Sequence, residues 1–178
     1  MIVIPMAGLS SRFFKAGYHI PKYQLPLNNK TIFSWAISSF SNYFITDFFV
    51  FIYREIYNTK EFIEQEIQKL GILDYQLICL DHETLGQADT VYQGIANISE
   101  DTELFIFNID SKLLNFTKPS WINQCDGYLE VFQGEGNHWS FIKWMSKILY
   151  EKLQKKSVYQ IYVVMVFIIS NRAIYLNN

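Results

Sequence analysis

Four short apolar runs, at residues 2–4, 48–53, 75–80 and 104–109, recur along the chain with helix-length stretches between them. Nothing else in the sequence constrains the fold as strongly. Short runs of β-branched and aromatic residues bounded by turn residues read as buried strands. Between them, Ile32, Trp35, Ala36, Phe40 and Tyr43 fall at helical spacing within residues 31–44. Asn58 and Glu61 form a capping box for a second helix, which Gly71 closes at its C′ position. Ala88, Val91, Tyr92 and Ile95 mark a third helix, and residues 128–133 and 139–143 add two later strands. Alternation of this kind predicts an α/β fold with three α/β/α layers and a mostly parallel central sheet. Ligands of such open sheets bind beyond the carboxyl ends of the strands.

Composition narrows the function classes. A chain of 178 residues, half of them hydrophobic and 17% aromatic, forms one domain with a sizeable core and is not disordered. A net charge of −2 without a basic block argues against a nucleic-acid partner. The apolar run at residues 158–169 is about 12 residues long, against about 20 for a bilayer span, so no membrane association is expected. That run reads as a buried strand at best and as an aggregation-prone segment at worst. Met1 leads straight into Ile-Val-Ile with no basic segment or cleavage site, which points to a cytoplasmic protein. Cys79 and Cys125 fit neither a disulfide framework nor a zinc spacing, and are expected to be buried thiols. His19, His82 and His138 have no metal-ligand spacing, and no Ser sits in a nucleophile elbow.

Four segments could carry chemistry. Ala7-Gly8-Leu9-Ser10-Ser11-Arg12 follows the first strand. Its small residues allow backbone N–H groups to approach phosphate oxygens, and Arg12 adds a fork of donors. It is neither a dinucleotide fingerprint nor a P-loop, and by itself it also reads as a plain turn. Lys22, stiffened by Pro21, could clamp a polyphosphate together with Arg12; alone, either residue could be a surface cation. Asp110, after Asn108 and Ile109 at the end of the fourth strand, is placed to hold Mg²⁺, and equally to cap a turn. Thr84-Leu85-Gly86-Gln87-Ala88 opens the third helix with a turn that could read a base edge, or simply start the helix. Gly8, Arg12, Lys22, Gly86 and Asp110 are expected to line one cleft.

Taken together, these segments resemble the sugar-phosphate nucleotidyltransferases. The run from Ile4-Pro5-Met6 through Arg12-Phe13, then Gly17-Tyr18 and Pro21-Lys22, is similar to the family signature G-x-G-x-R-F-x-x-x-G-Y-x-x-P-K. Leu85-Gly86-Gln87-Ala88 resembles its base-binding segment, and Asn108-Ile109-Asp110 its metal aspartate. Ala7 and Ser10 replace two glycines of the signature, and both are small. The resemblance implies a Rossmann-like, GT-A-like nucleotidyltransferase fold of the capsule and surface-polysaccharide type. It implies transfer of a nucleoside monophosphate from a nucleoside triphosphate, CTP being favoured, to a sugar phosphate or similar small phosphate, with release of pyrophosphate. Arg12, Lys22 and Asp110 would be the catalytic set. Ala7, Gly8, Leu9, Ser10, Ser11, Thr84, Gly86 and Gln87 would bind the nucleotide, and Asp110 would bind Mg²⁺. Base, acceptor and oligomeric state are left open.

The resemblance covers residues 1–143 and then stops. Gly127-Tyr128-Leu129-Glu130-Val131 matches a family strand, whereas the E-K-x-R-I-S segment for the acceptor phosphate, the G-x-Y-x-F strand and a second metal aspartate are missing. A shifted reading frame accounts for this. If each codon takes the third base of one codon and the first two of the next, Trp144-Met145 forces Asp and Met165-Val166 forces Gly. Permitted choices elsewhere then restore E-K-E-R-I-S and G-F-Y-Y-F in order. The expectation is a catalytic-domain part over 1–143 and an aberrant, loosely docked tail over 144–178. The chain would then be a truncated product, with a catalytically inactive nucleotide-binding fragment as the alternative function.

Overall fold

A computed structural model describes residues 1–99, 102–122, 127–133, 141–142 and 162–169. The central sheet is built from β1 (Ile2–Pro5), β4 (Phe49–Arg54), β5 (Tyr75–Leu80), β6 (Leu104–Phe107), β7 (Gly127–Gln133), β8 (Phe141–Ile142) and β9 (Tyr162–Ile169). Its order is β5-β4-β1-β6-β9-β7, with β8 paired to β9. The strands β5, β4, β1 and β6 run parallel, and β9 runs antiparallel to both β6 and β7. A small hairpin of β2 (Pro26–Leu27) and β3 (Lys30–Thr31) stands apart.

Period-two alternation divides the core between the two faces of this sheet. Ile2, Ile4, Phe49, Phe51, Phe105 and Phe107 point one way, against Phe33, Ala36 and Ile37 of α2 (Ile32–Ile37) and Ile63 and Ile67 of α3 (Thr59–Leu70). Val3, Val50, Ile52, Leu104 and Ile106 point the other way, against Val91 of α4 (Gln87–Gly94). The aromatic content fills the first face. Phe40 meets Phe107 and Phe116 edge-on, and Phe33 stacks on Phe51. The expected layers and the mostly parallel sheet are therefore present.

Local details differ from the sequence expectation. The helix expected over 31–44 is α2 followed by a 3₁₀ turn, Ser38–Tyr43, in which Phe40 leaves helical dihedrals (φ −107°, ψ 24°). Ser38 Oγ donates to the Trp35 carbonyl at 2.8 Å, a local bond that competes with the α-helical ladder. The Asn58–Glu61 capping box does not form. Asn58 sits in the left-handed region (φ 54°), away from the extended geometry a cap requires, and its side chain makes no capping bond. Glu55 Oε2 accepts the Lys60 N–H instead, at 3.2 Å. Gly71 does close α3 in the left-handed region (φ 76°).

Cys79 is exposed rather than buried, because β5 lies at the sheet edge with much of its length open to solvent. Cys125 lies outside the described residues. Of the expected tail, residues 144–161 and 170–178 also lie outside them, while Tyr162–Ile169 is a strand between β6 and β7. No described helix is long and apolar enough to cross a membrane.

Candidate nucleotide site

The strand order sets the site. From β1 the chain steps outward to β4 and β5, then returns to β6 on the other side of β1. This reversal opens a crevice beyond the carboxyl ends of β1 and β6. A cleft of about 370 Å³ lies there. Its walls include Ala7, Gly8 and Leu9 after β1, Asn108 and Asp110 after β6, Lys22 and Tyr23, and Glu83, Thr84, Gly86 and Gln87 before α4. Eight of the residues singled out in the sequence thus meet: Ala7, Gly8, Leu9, Lys22, Thr84, Gly86, Gln87 and Asp110.

Ser10, Ser11 and Arg12 do not line the cleft. Ser10 turns the chain through the left-handed region (φ 53°, ψ 25°) into α1 (Ser11–Lys15), which carries Ser11 and Arg12 outward to solvent. The expectation that Arg12 lines the cleft is corrected by this turn. Its guanidinium has no hydrogen-bond or ion-pair partner among the described residues.

Lys22 and Asp110 face each other directly, with Lys22 Nζ 2.5 Å from Asp110 Oδ2. Lys22 opens a short 3₁₀ turn, Lys22–Gln24, whose start is held by a bond from the Lys22 N–H to Ser10 Oγ at 3.1 Å. The next residue, Tyr23, is buried and its hydroxyl pairs with Thr59 Oγ1 at 2.8 Å. Burial pushes the Tyr23 phenol above its ordinary value, the Thr59 bond opposing that shift.

The opposite wall is knit by its own turn. Gly86 adopts φ 157°, ψ −173°, and its carbonyl accepts from Thr90 N–H (2.9 Å) and Thr90 Oγ1 (3.0 Å). Asp89 Oδ2 accepts the Leu85 N–H at 2.7 Å. Hydrogen bonds from Gln93 and then Leu85 hold the Asp89 carboxyl below its usual value. Gln87 Nε2 is buried with no hydrogen-bond partner among the described residues, leaving an amide donor unspent in the cleft wall.

Tyr23 and Glu83 line the wall without a role assigned to them from the sequence. Tyr23 carried a weak signal, an aromatic directly after a candidate cation. Glu83 carried none. It lies across from Arg54, with 3.6 Å between Arg54 Nη1 and Glu83 Oε1, because β4 and β5 pair in a register that opposes Arg54 to Leu80. Among the described residues no three His, Cys, Asp or Glu side chains gather as a metal cage. A single carboxylate such as Asp110 still suits Mg²⁺, which takes one or two carboxylates and completes its shell with substrate phosphates and water.

A doubly wound sheet with two glycine loops and an acidic strand end around one crevice is an open α/β fold of the kind that takes ligands at its switch point. Comparison with solved structures narrows the class. A nucleoside-diphosphate-sugar pyrophosphorylase from Vibrio cholerae RC9 is 39% identical and superposes with a TM-score of 0.85, over 96% of this chain and 73% of that one. A UDP-glucose pyrophosphorylase complexed with UDP-glucose shares the fold at 15% identity and TM-score 0.67, over 95% of this chain and 75% of its own. The inositol-1-phosphate CTP transferase of T. maritima does so at 15% and 0.68, over 95% and 69%. No protein-family model and no curated protein matches the chain. The chain belongs to the sugar-phosphate nucleotidyltransferases, the family of the nucleoside-diphosphate-sugar pyrophosphorylases. Its general chemistry is accordingly nucleotidyl transfer to a sugar phosphate.

Proposed function

We propose that the cleft binds a nucleoside triphosphate with Mg²⁺ and directs its nucleoside monophosphate onto a sugar phosphate or similar small phosphate, for capsular or surface polysaccharide biosynthesis in the cytoplasm. The observation that carries this reading is the meeting of Lys22 with Asp110 between the Gly8 and Gly86 loops. A cation and an anion at one point of a cleft of about 370 Å³ can exchange partners, the ammonium turning to phosphate and the carboxylate to a metal.

An oxygen of the acceptor phosphate attacks the α-phosphorus in line, the α–β bridging bond breaks, and pyrophosphate leaves. Lys22 neutralises charge at the α-phosphate. The backbone of Ala7, Gly8 and Leu9 lies along the triphosphate, and Ser10 and Ser11 shape the turn that follows it. Thr84, Gly86 and Gln87 face the base, and the free Gln87 amide is a donor for its edge. Mg²⁺ held by Asp110 would supply further charge neutralisation and hold the leaving pyrophosphate. Positioning and charge neutralisation supply most of the catalysis. CTP is favoured by analogy with surface-polysaccharide relatives.

A second reading rests on the restorable motifs of the shifted frame. In it residues 1–143 are a catalytic-domain part, 144–178 are out of frame, and the product binds nucleotide without turnover. The strand Tyr162–Ile169 is compatible with this, since an apolar β-branched run pairs with a sheet whatever its origin. Calorimetric titration of CTP, UTP and dTTP, with and without Mg²⁺, tests the site; no binding of any triphosphate overturns both readings. Pyrophosphate release with sugar phosphates separates them, since binding without release selects the fragment.

A further inference from the structure

Ser10 stands at the entry to α1 with φ 53° and ψ 25°, a conformation that costs little for glycine and more for a residue with a Cβ. A serine at such a place usually caps its helix through its hydroxyl. Here the hydroxyl makes no cap. It accepts the N–H of Lys22 at 3.1 Å, across 12 residues of sequence. That N–H is the unsatisfied first donor of the Lys22–Gln24 turn, whose own bonds run from Gln24 N to Pro21 O and from Leu25 N to Lys22 O. Ser10 does not line the cleft, so its reach into the site passes through Lys22.

We propose that Ser10 is a positioning residue for Lys22: its hydroxyl ties down the backbone from which the ammonium reaches a triphosphate. The inference rests on the reading of Lys22 as a phosphate ligand. The strained conformation persists at this position because the hydroxyl has work that glycine cannot do. A turn with no such role would be better served by glycine.

Binding of Mg-CTP, Mg-UTP and Mg-dTTP is measured by calorimetry on the full chain, alongside Tm, for wild type, Ser10→Gly, Ser10→Ala, Lys22→Ala and the Ser10→Gly/Lys22→Ala double variant. Ser10→Gly is expected to keep or raise Tm yet weaken triphosphate binding by roughly 2- to 10-fold, the span of one hydrogen bond. Ser10→Ala should weaken binding by the same factor while lowering Tm. In the Lys22→Ala background Ser10→Gly should add less than about twofold, as coupled sites do. If Ser10→Gly binds like wild type while Lys22→Ala binds weakly, or if the two effects simply add, the inference fails and the reading of Lys22 stands. If Lys22→Ala binds like wild type, or wild type binds no triphosphate, that reading fails and the inference with it.

Discussion

The Lys22 ammonium lies 2.5 Å from the Asp110 carboxylate, although 88 residues separate them in the chain. The carboxylate offsets the ammonium, so phosphate and metal compete with this pair for the same two groups. Asp110→Asn should therefore remove the increase in triphosphate affinity that Mg²⁺ produces, while metal-free binding changes by less than about tenfold, because Lys22 is then released to the phosphates. Calorimetric titration with Mg²⁺ and with EDTA checks this. An unchanged Mg²⁺ dependence would place the metal elsewhere.

Gly86 bears a backbone that side chains rarely adopt, and a Cβ there would meet nothing within 4 Å. The cost of Gly86→Ala is thus conformational, not steric, and should be about 1–3 kcal/mol. Denaturant unfolding should show that loss, and nucleotide affinity should fall with it because Thr90 anchors the same turn through the Gly86 carbonyl.

Gly94 presents the opposite case. A Cβ there would lie 2.6 Å from Ile52 Cγ1 and 2.9 Å from Ile52 Cγ2, and Ile52 is fully buried in β4. The β-branched side chain has little freedom to move aside. Gly94→Ala should destabilise the fold by about 1–3 kcal/mol through overpacking, read as a lower urea midpoint with an unchanged slope.

Glu66 is buried and gathers bonds from Thr31 Oγ1 (2.5 Å), Ser34 Oγ (2.6 Å) and Lys69 Nζ (2.7 Å). Burial pushes its carboxyl up, but the bonds from Lys69, Ser34 and Thr31 together prevail and hold it below 4.5. A native value below the unfolded one means that its stabilisation is complete above 4.5 and is lost as pH falls through the native value. Glu66→Gln should cost about 1.5–3 kcal/mol near neutrality, the scale of bonds to a charged group, and progressively less in acid. Urea unfolding of both proteins across the acid range tests the convergence.

Much of the site was legible in the chain because its cues are local. The β-branched runs, Gly71, the Gly86 turn and Asp110 at a strand end each declare themselves within a few residues. The failures share a cause. The Asn58 cap was lost because Tyr57 and Asn58 both turn left-handed before α3, and Cys79 is exposed because β5 became an edge. Neither outcome is encoded in the neighbouring residues alone.

Hydrophobic period and turn composition act over a few residues, so the order of residues in the chain already marks the main strands and the glycine loops between them. Tertiary structure alone decided that β6 returns beside β1, and with it that Asp110 meets Lys22, that Ser10 serves the Lys22 backbone, and that Arg12 lies outside the cleft wall. An alternating pattern reports that a strand is buried but not which strand lies beside it. Partnership depends on the packing of both faces at once, and that is a property of the whole chain.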